Sequence, residues 1–189
     1  MRLNWQMPIC AMLAAMLGLS IAGCQRSNDN VQAARETSAL TDADRHFLNK
    51  AEKDNIEERD LGRRVLEKTK NSDVRDYAQM LVEDHTKALK DIVDLMKDKR
   101  IAQPKGLPEA EHAAWNKLKG MSGAEFDREF MNMMVQDHQD AVKEFQHESN
   151  MAQDYDVKMY ANHVLPVLQK HLQKAQDVQV KISGGPNTR

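Results

Sequence analysis

Residues 74–95 read VRDYAQMLVEDHTKALKDIVDL, and this stretch decides the fold. Small and apolar residues recur in it by steps of three and four, at Val74, Ala78, Leu81, Ala88, Ile92 and Leu95. The positions between them are mostly charged or amide-bearing. That spacing places one apolar face along an α-helix, and it predicts a helix over about residues 74–99. A helix with a single apolar face must pack against partners of the same kind.

Three more segments carry the same pattern, over about residues 42–70, 124–149 and 154–181. The short turn at 71–73 makes the first two helices an antiparallel pair. The segment 101–123 contains Pro104, Gly106 and Pro108, and it forms a long connection between the second and third helices. The sequence therefore predicts an all-α, ferritin-like four-helix bundle over residues 42–182, since ferritin-like folds share one long crossover. Residues 183–189 are expected to be a disordered tail.

The amino-terminal residues have the pattern of an export signal. Arg2 precedes an apolar run from Pro8 to Ala22, and residues 19–24 read LSIAGC. The end of this run resembles the lipobox of bacterial lipoproteins. That resemblance implies that residues 1–23 are a lipoprotein signal peptide, that Cys24 is lipidated, and that residues 24–41 are a flexible tether. The alternative is an ordinary signal peptide with an incidental cysteine.

The same resemblance predicts where the protein works. It implies a lipid-anchored protein of the cell envelope, whose partners are the membrane and an envelope protein. Gln25 follows the cysteine, and the absence of Asp there favours the outer membrane, facing the periplasm. The other cysteine, Cys10, lies inside the signal, so the folded part is expected to have no disulfide. The net charge of −2 and the lack of a basic stripe argue against a nucleic-acid partner.

Each predicted helix carries one polar residue in the middle of its apolar face. These residues are Glu58, His85, His138 and His171. Each lies near the midpoint of its helix, so the four should meet in one layer of the bundle core. One carboxylate and three imidazoles suit a single transition-metal ion, iron, zinc, manganese or copper. The alternative is a structural layer in which the same groups are hydrogen-bonded to one another.

Two aspartates are candidate partners of these histidines. Asp84 and Asp137 each precede a histidine of the layer by one residue, which turns them toward a seam between helices. They are predicted to hydrogen-bond the ligands from outside. The histidines at 46, 112, 147 and 163 fall off the apolar faces and are expected to be solvated. The mature chain shows no serine or cysteine nucleophile with a base at credible spacing, which favours a protein that is not an enzyme.

Two weaker patterns are interpreted as structural. Five methionines, at 80, 131, 133, 134 and 159, suit cuprous copper, but methionine is also a common filler of helical cores. Glu144 and His147 form a Glu-x-x-His pair of the di-iron type near the end of the third helix. That pair is away from the central layer, and chance spacing is the preferred interpretation.

Several of these motifs together resemble a known family. They are MLVEDHT at 80–86, Phe-Asp at 126–127, Tyr-Ala at 160–161, Leu-Pro at 165–166, His-Leu at 171–172, and Glu58 with Gly62. The chain is similar over about residues 43–180 to a bacterial family of exported ferritin-like proteins of unknown function, labelled as outer-membrane or periplasmic proteins. The resemblance implies a ferritin-like fold and an envelope location, without an activity. Its characteristic polar residues fall on Glu58, Asp84, His85, His138 and His171. Di-iron ferritins have carboxylates on all four helices, so ferroxidase chemistry is poorly supported here.

Overall fold

The computed structural model describes residues 32–33, 38–102 and 112–184. This part of the chain contains five helices and no strand: α1 (Asp42–Lys68), α2 (Ser72–Asp98), α3 (Ala113–Leu118), α4 (Gly123–Met151) and α5 (Tyr155–Ser183). The all-α bundle predicted from the sequence is confirmed, and the four long helices begin and end within a few residues of the predicted bounds. The short α3 lies in the long connection. Cys24, the signal segment and most of the expected tether lie outside the described residues, as do residues 185–189.

The helix starts are fixed by side chains that satisfy free backbone N–H groups. At the start of α1, the Thr41 hydroxyl accepts a hydrogen bond from the Asp44 N–H at 3.1 Å, and the Asp44 carboxylate accepts one from the Thr41 N–H at 2.8 Å. Asn71 and Asp154 cap α2 and α5, each by accepting hydrogen bonds from the N–H groups two and three residues later. α5 continues through Pro166, which is exposed. None of the helices described combines the length and the apolar composition that a membrane span requires.

The long helices form two antiparallel hairpins, α1–α2 and α4–α5, which are the most closely packed pairs. Gly62 allows the close approach within the first hairpin, because a Cβ atom there would lie 2.9 Å from Val82 Cγ2 and 3.0 Å from the Ala78 carbonyl oxygen. Between hairpins, α2 and α5 are antiparallel. Lys181 at the end of α5 pairs with Asp73 at 2.9 Å at the start of α2.

The second seam between the hairpins joins α1 to α4. Lys50 near the start of α1 pairs with Glu144 near the end of α4 at 2.7 Å, so these two helices are also antiparallel. Their backbones approach each other less closely than those of α2 and α5. The diagonal pairs, α1 with α5 and α2 with α4, therefore run parallel, and the long connection crosses the length of the bundle. This is the connectivity of a four-helix bundle with one long crossover.

The core consists of two apolar clusters, one toward each end of the bundle. One includes Leu61, Tyr77, Phe130 and Met134, and the other includes Phe47, Ile92, Phe145 and Tyr160. Both clusters are closely packed, with aromatic rings in edge-to-face contact. The middle of the bundle, between the clusters, holds buried polar side chains instead.

Candidate metal centre

The structure brings the four polar residues of the predicted layer together. Glu58 Oε2 on α1 lies 3.2 Å from His85 Nε2 on α2 and 3.4 Å from His138 Nε2 on α4. His138 Nε2 lies 3.2 Å from His171 Nδ1 on α5. The three histidines are 5 % exposed or less. Each offers one ring nitrogen, and these nitrogens all lie within 4.8 Å of one another.

The orientation of His85 is fixed by a residue that the sequence analysis did not find. His85 Nδ1 lies 2.9 Å from Asn55 Oδ1. The Asn55 amide group donates to the Ala51 carbonyl oxygen at 2.7 Å, so its Oδ1 must be the atom that accepts from His85. The proton of neutral His85 is therefore on Nδ1. Its Nε2 faces the centre of the layer with a free electron pair.

The other two rings are oriented by acceptors on their outer sides. His138 Nδ1 donates to the Met134 carbonyl oxygen at 3.0 Å, which leaves the electron pair of neutral His138 on Nε2. His171 Nε2 donates to Asp84 Oδ2 at 2.9 Å, which leaves the electron pair on Nδ1. Outer hydrogen bonds of this kind, to a carbonyl or a carboxylate, are what histidine ligands of metals usually make.

As a result, four electron-pair donors face one another: a carboxylate oxygen and three ring nitrogens. Acceptors do not stabilise each other. Glu58 Oε2 and His85 Nε2 are buried, and neither has a hydrogen-bond partner despite the short distance between them. Ligands about 2.0–2.1 Å from a tetrahedral metal ion are about 3.3 Å apart, close to the distances of 3.2 Å and 3.4 Å between neighbouring donor atoms of the layer. A metal cation fits the chemistry of this set.

The pKa values of Glu58 and His171 are both lowered. Burial opposes the charge on Glu58, but the positive charge that His138 and His85 carry when protonated outweighs it and lowers the pKa of Glu58 to about 2. Burial lowers the pKa of His171 to about 4, although its bond to Asp84 acts in the other direction. At neutral pH the layer thus presents an anionic carboxylate and a neutral His171 imidazole, the forms that bind metals.

Of the two aspartates predicted to hydrogen-bond the histidines, one does so and the other does not. Asp84 does bond His171, whereas Asp137 makes no hydrogen bond to a histidine within the described ranges. The Asp137 residue is exposed overall, but its carboxyl group lies at the cavity between α1 and α4. Burial of its carboxyl group and the nearby Glu58 and Glu57 carboxylates raise the pKa of Asp137 to about 6. The physical reason for the difference is that Asp84 contacts an imidazole on the helix across its seam, while the charged groups that act most on Asp137 are the Glu58 and Glu57 carboxylates.

A cavity of about 450 Å³ adjoins the layer. It lies where α1 and α4 stand apart, and the short helix α3 forms part of its wall through Ala113, Ala114 and Lys117. Glu57 accepts a hydrogen bond from the Ala114 N–H at 3.3 Å, which holds α3 against α1. The side chains of Glu58, His85 and His171 line the inner part of this cavity. Among the described residues, the layer is therefore open toward this cavity.

The weaker candidates do not form sites. Met131 and Met134 are fully buried in one apolar cluster, while Met159 is 49 % exposed, so the five methionines do not converge. Glu144 binds Lys50, and His147 is exposed. The expectation that the remaining histidines are solvated is wrong for His112. That residue is 6 % exposed at the start of α3, because the short helix folds it against the bundle.

Comparisons with known proteins agree with the fold. A crystal structure of a DUF305 fragment from Deinococcus radiodurans has a similar fold, with a TM-score of 0.62 and 19 % sequence identity. The similarity covers 75 % of this chain and 98 % of that chain. At that identity the likeness concerns the fold alone. No curated protein matches the chain. The family model described as a domain of unknown function, DUF4142, matches residues 29–178. Because this match spans most of the sequence, the chain belongs to the DUF4142 family.

Proposed function

We propose that this protein binds one transition-metal ion in the core of its bundle, through Glu58, His85, His138 and His171. The observation that carries the proposal is the orientation of the donors. Asn55, the Met134 carbonyl group and Asp84 hold the protons of the imidazoles on the outside of the layer. The electron pairs then converge on the Glu58 carboxylate, an arrangement that only a cation or an added proton stabilises.

The ligand set narrows the metal and the role. Three imidazoles and a carboxylate suit zinc, iron, manganese or copper. Four side chains complete a tetrahedral set, and a metal with no open position is suited to binding rather than catalysis. We therefore assign the protein a role in buffering or sensing a metal ion, or in limited redox chemistry where the ion is iron or copper.

The proposal includes a location. The lipobox-like residues before Cys24 support a lipid anchor in the cell envelope, on the periplasmic side of the outer membrane. The bundle would then sample metal ions in that compartment at the end of a tether of about 17 residues, and an envelope protein would be its partner. This part rests on the sequence, since Cys24 lies outside the described residues.

A second function rests on one contact in the same layer. The 3.2 Å distance between His138 Nε2 and His171 Nδ1 also accommodates a shared proton. With that proton the layer is a hydrogen-bonded structural element, and the protein is a non-enzymatic structural or interaction module of the envelope. The two functions differ in whether a metal ion or a proton holds the layer together.

The deciding experiment compares metal content and thermal stability. The protein, purified without a histidine tag, is titrated with Zn²⁺, Fe²⁺, Mn²⁺ and Cu²⁺ beside the His85→Ala/His171→Ala variant. His46→Ala/His163→Ala is the matched control, because both of its histidines are exposed. We expect about one ion per chain and a raised melting temperature in the wild type and the control, but not in the His85/His171 variant. No bound ion in the wild type, with a variant that merely loses stability, would make the layer structural.

A further inference from the structure

The cavity beside the layer offers the open approach to it among the described residues. Toward each end of the bundle, the layer is covered by an apolar cluster. On the side of α2 and α5, the bond between His171 and Asp84 fills the seam. The seam between α1 and α4 is wider, and the cavity of about 450 Å³ lies there. In the described part of the chain, this space leads from the surface of the bundle to Glu58 and His85.

The walls of the cavity are predominantly anionic. Besides His85 and His171, its ionisable lining consists of six carboxylates and two lysines: Asp54, Glu57, Glu58, Asp84, Asp137, Asp140, Lys50 and Lys117. Each lysine is already bound to a carboxylate, since Lys50 pairs with Asp54 and Glu144, and Lys117 pairs with Glu129. Asp140 pairs with Lys143 and Asp84 bonds His171, so Glu57 and Asp137 are the lining carboxylates without an ion pair among the described residues. A cleft lined by charges of one sign concentrates ions of the opposite sign.

Asp137 and Glu57 are the carboxylates best placed to act on a passing cation. Asp137 has no ion pair with a basic residue in the described part of the chain, and the Glu58 and Glu57 carboxylates are close enough to raise its pKa. Glu57 lies on the opposite wall, held by the Ala114 N–H. The two side chains come from α4 and α1, the helices that border the wider seam.

The inner end of the cavity provides an independent indication of a ligand. The His85 side chain is 6 % exposed and lines the cavity, and its Nε2 has no hydrogen-bond partner. A buried electron pair at the end of an anionic cavity is unfavourable without a cation. The anionic walls and the free nitrogen thus point to the same class of ligand.

We propose that this cavity is the entry route for a divalent metal cation, and that Glu57 and Asp137 attract the cation and pass it to Glu58 and His85. The inference rests on the proposed metal-binding function and adds the path to it. It assigns Glu57 and Asp137 an effect on the rate of loading, because carboxylates along a route speed association without belonging to the final ligand set.

The test measures the rate of metal binding with Co²⁺, whose visible absorption rises when it enters a tetrahedral site. Rapid mixing compares the wild type with the Glu57→Gln/Asp137→Asn variant. Glutamine keeps an oxygen for the Ala114 N–H, and both substitutions keep side-chain size. The control is Asp94→Asn/Asp98→Asn, which removes the same charge from exposed positions of α2 that do not line the cavity.

We expect the Glu57/Asp137 variant to bind Co²⁺ about tenfold more slowly at low ionic strength, with the same final absorbance, while the control matches the wild type. The difference should shrink at high salt, where charges are screened. Full absorbance reached at the wild-type rate would overturn the entry route and leave the metal site intact. Loss of the final absorbance would also overturn it, by making these residues ligands. Absence of the band in the wild type would overturn the proposed function itself.

Discussion

His138 Nε2 and His171 Nδ1 face each other at 3.2 Å, and each carries an electron pair because the other nitrogen of its ring donates outward. Two acceptors at that distance repel unless something positive lies between them. The function of the layer therefore depends on which positive charge lies between these nitrogens. A proton or a metal ion would stabilise the layer, and the two respond differently to substitution and to pH.

Glu58→Gln should separate these cases. Its amide group can donate a hydrogen bond to the unpartnered His85 Nε2, 3.2 Å from the present Oε2. Under the proposed function, the metal-free variant should keep or gain about 1 kcal/mol of stability, while its affinity for Zn²⁺ falls at least tenfold. Thermal unfolding with and without Zn²⁺ measures both, with the exposed Glu67→Gln on the same helix as control. A large loss of stability in the metal-free variant would instead indicate that Glu58 balances an imidazolium.

Asn55→Ala should weaken metal binding although Asn55 is not a ligand. The substitution removes the acceptor that keeps the His85 proton on Nδ1. We expect a 10–100-fold loss of affinity for Zn²⁺ and a loss of stability of about 1–3 kcal/mol, measured by calorimetric titration and thermal unfolding. Asn150→Ala is the matched control, because its amide donates to a carbonyl one turn earlier in the same way but is exposed. Equal affinities for the two variants would contradict the role assigned to Asn55.

Acidification should destabilise the metal-free protein through His171. Its pKa is about 4 in the folded state, against an ordinary value of 6.5. Between these values the unfolded chain binds more protons than the folded one, so stability falls as the pH drops from about 6.5 toward 4. In a chelator, melting temperatures measured over this range should fall in the wild type and fall less in His171→Gln.

Asp137 should act in the opposite direction. Its folded-state pKa of about 6 lies above the ordinary value of 3.8, so the folded state takes up a proton first and gains stability as the pH falls through 6. Asp137→Asn should therefore show a steeper loss of melting temperature on acidification than the wild type. The effect is smaller than that of His171, because Asp137 is exposed. Parallel curves for the three proteins would contradict both assignments.

Gly62→Ala should force the helices of the first hairpin apart. The added methyl group would meet Val82 Cγ2 at 2.9 Å and the Ala78 carbonyl oxygen at 3.0 Å. We expect a loss of about 1–3 kcal/mol in denaturant unfolding, and weaker metal binding, since Glu58 and His85 lie on these two helices. Gly120→Ala provides the comparison, because a Cβ atom there has nothing within 4 Å. A Gly62→Ala protein as stable as Gly120→Ala would show that the hairpin yields without cost.

Cys24→Ser tests the proposed anchor. The substitution removes the thiol that carries the lipid, so the protein should leave the membrane fraction or keep its signal segment. Fractionation of cells that express either form measures this, with Cys10→Ser as control. Unchanged association with the membrane by a Cys24→Ser protein whose signal segment has been removed would contradict lipidation at Cys24.

The fold was predictable from the sequence because each long helix packs through one continuous apolar face. Residues such as Ala78, Leu81, Ala161 and Leu168 mark that face, and the helix ends follow from caps such as Asn71. These are local properties, which a 3.6-residue period reveals directly. The level of the polar layer also followed from the midpoints of the helices. The polar contacts that the sequence did not reveal depend on how each helix is rotated relative to its two neighbours.

Asn55 is a residue of the layer that the apolar pattern does not identify. The three- and four-residue spacing that places Ala51 and Glu58 on one face of α1 also places Asp54 there, whereas the structure buries Asn55 and places Asp54 at the cavity. The two residues are adjacent, so a rotation of about 100° decides which one faces the core. The signal that could have found Asn55 is chemical: it is an uncharged amide among charged residues, one turn before Glu58.

Asp84 and Asp137 show the same limit. Both precede a histidine by one residue, on parallel helices at opposite corners of the bundle. Equivalent positions on such helices face opposite seams. Across its seam, Asp84 contacts His171, while the charged group that acts most on Asp137 is the Glu58 carboxylate. Sequence spacing was the same for both, and only the partner on the neighbouring helix made them differ.

The four donors are divided equally between the hairpins, with Glu58 and His85 on one and His138 and His171 on the other. Under the proposed function, a bound ion is a cross-link between two halves that otherwise meet along looser, ion-paired seams. Loading would couple the two hairpins into one cooperative unfolding unit. Release of the ion would require them to part, so the lifetime of the loaded state would be governed by the opening of the bundle rather than by the strength of any one bond to the metal.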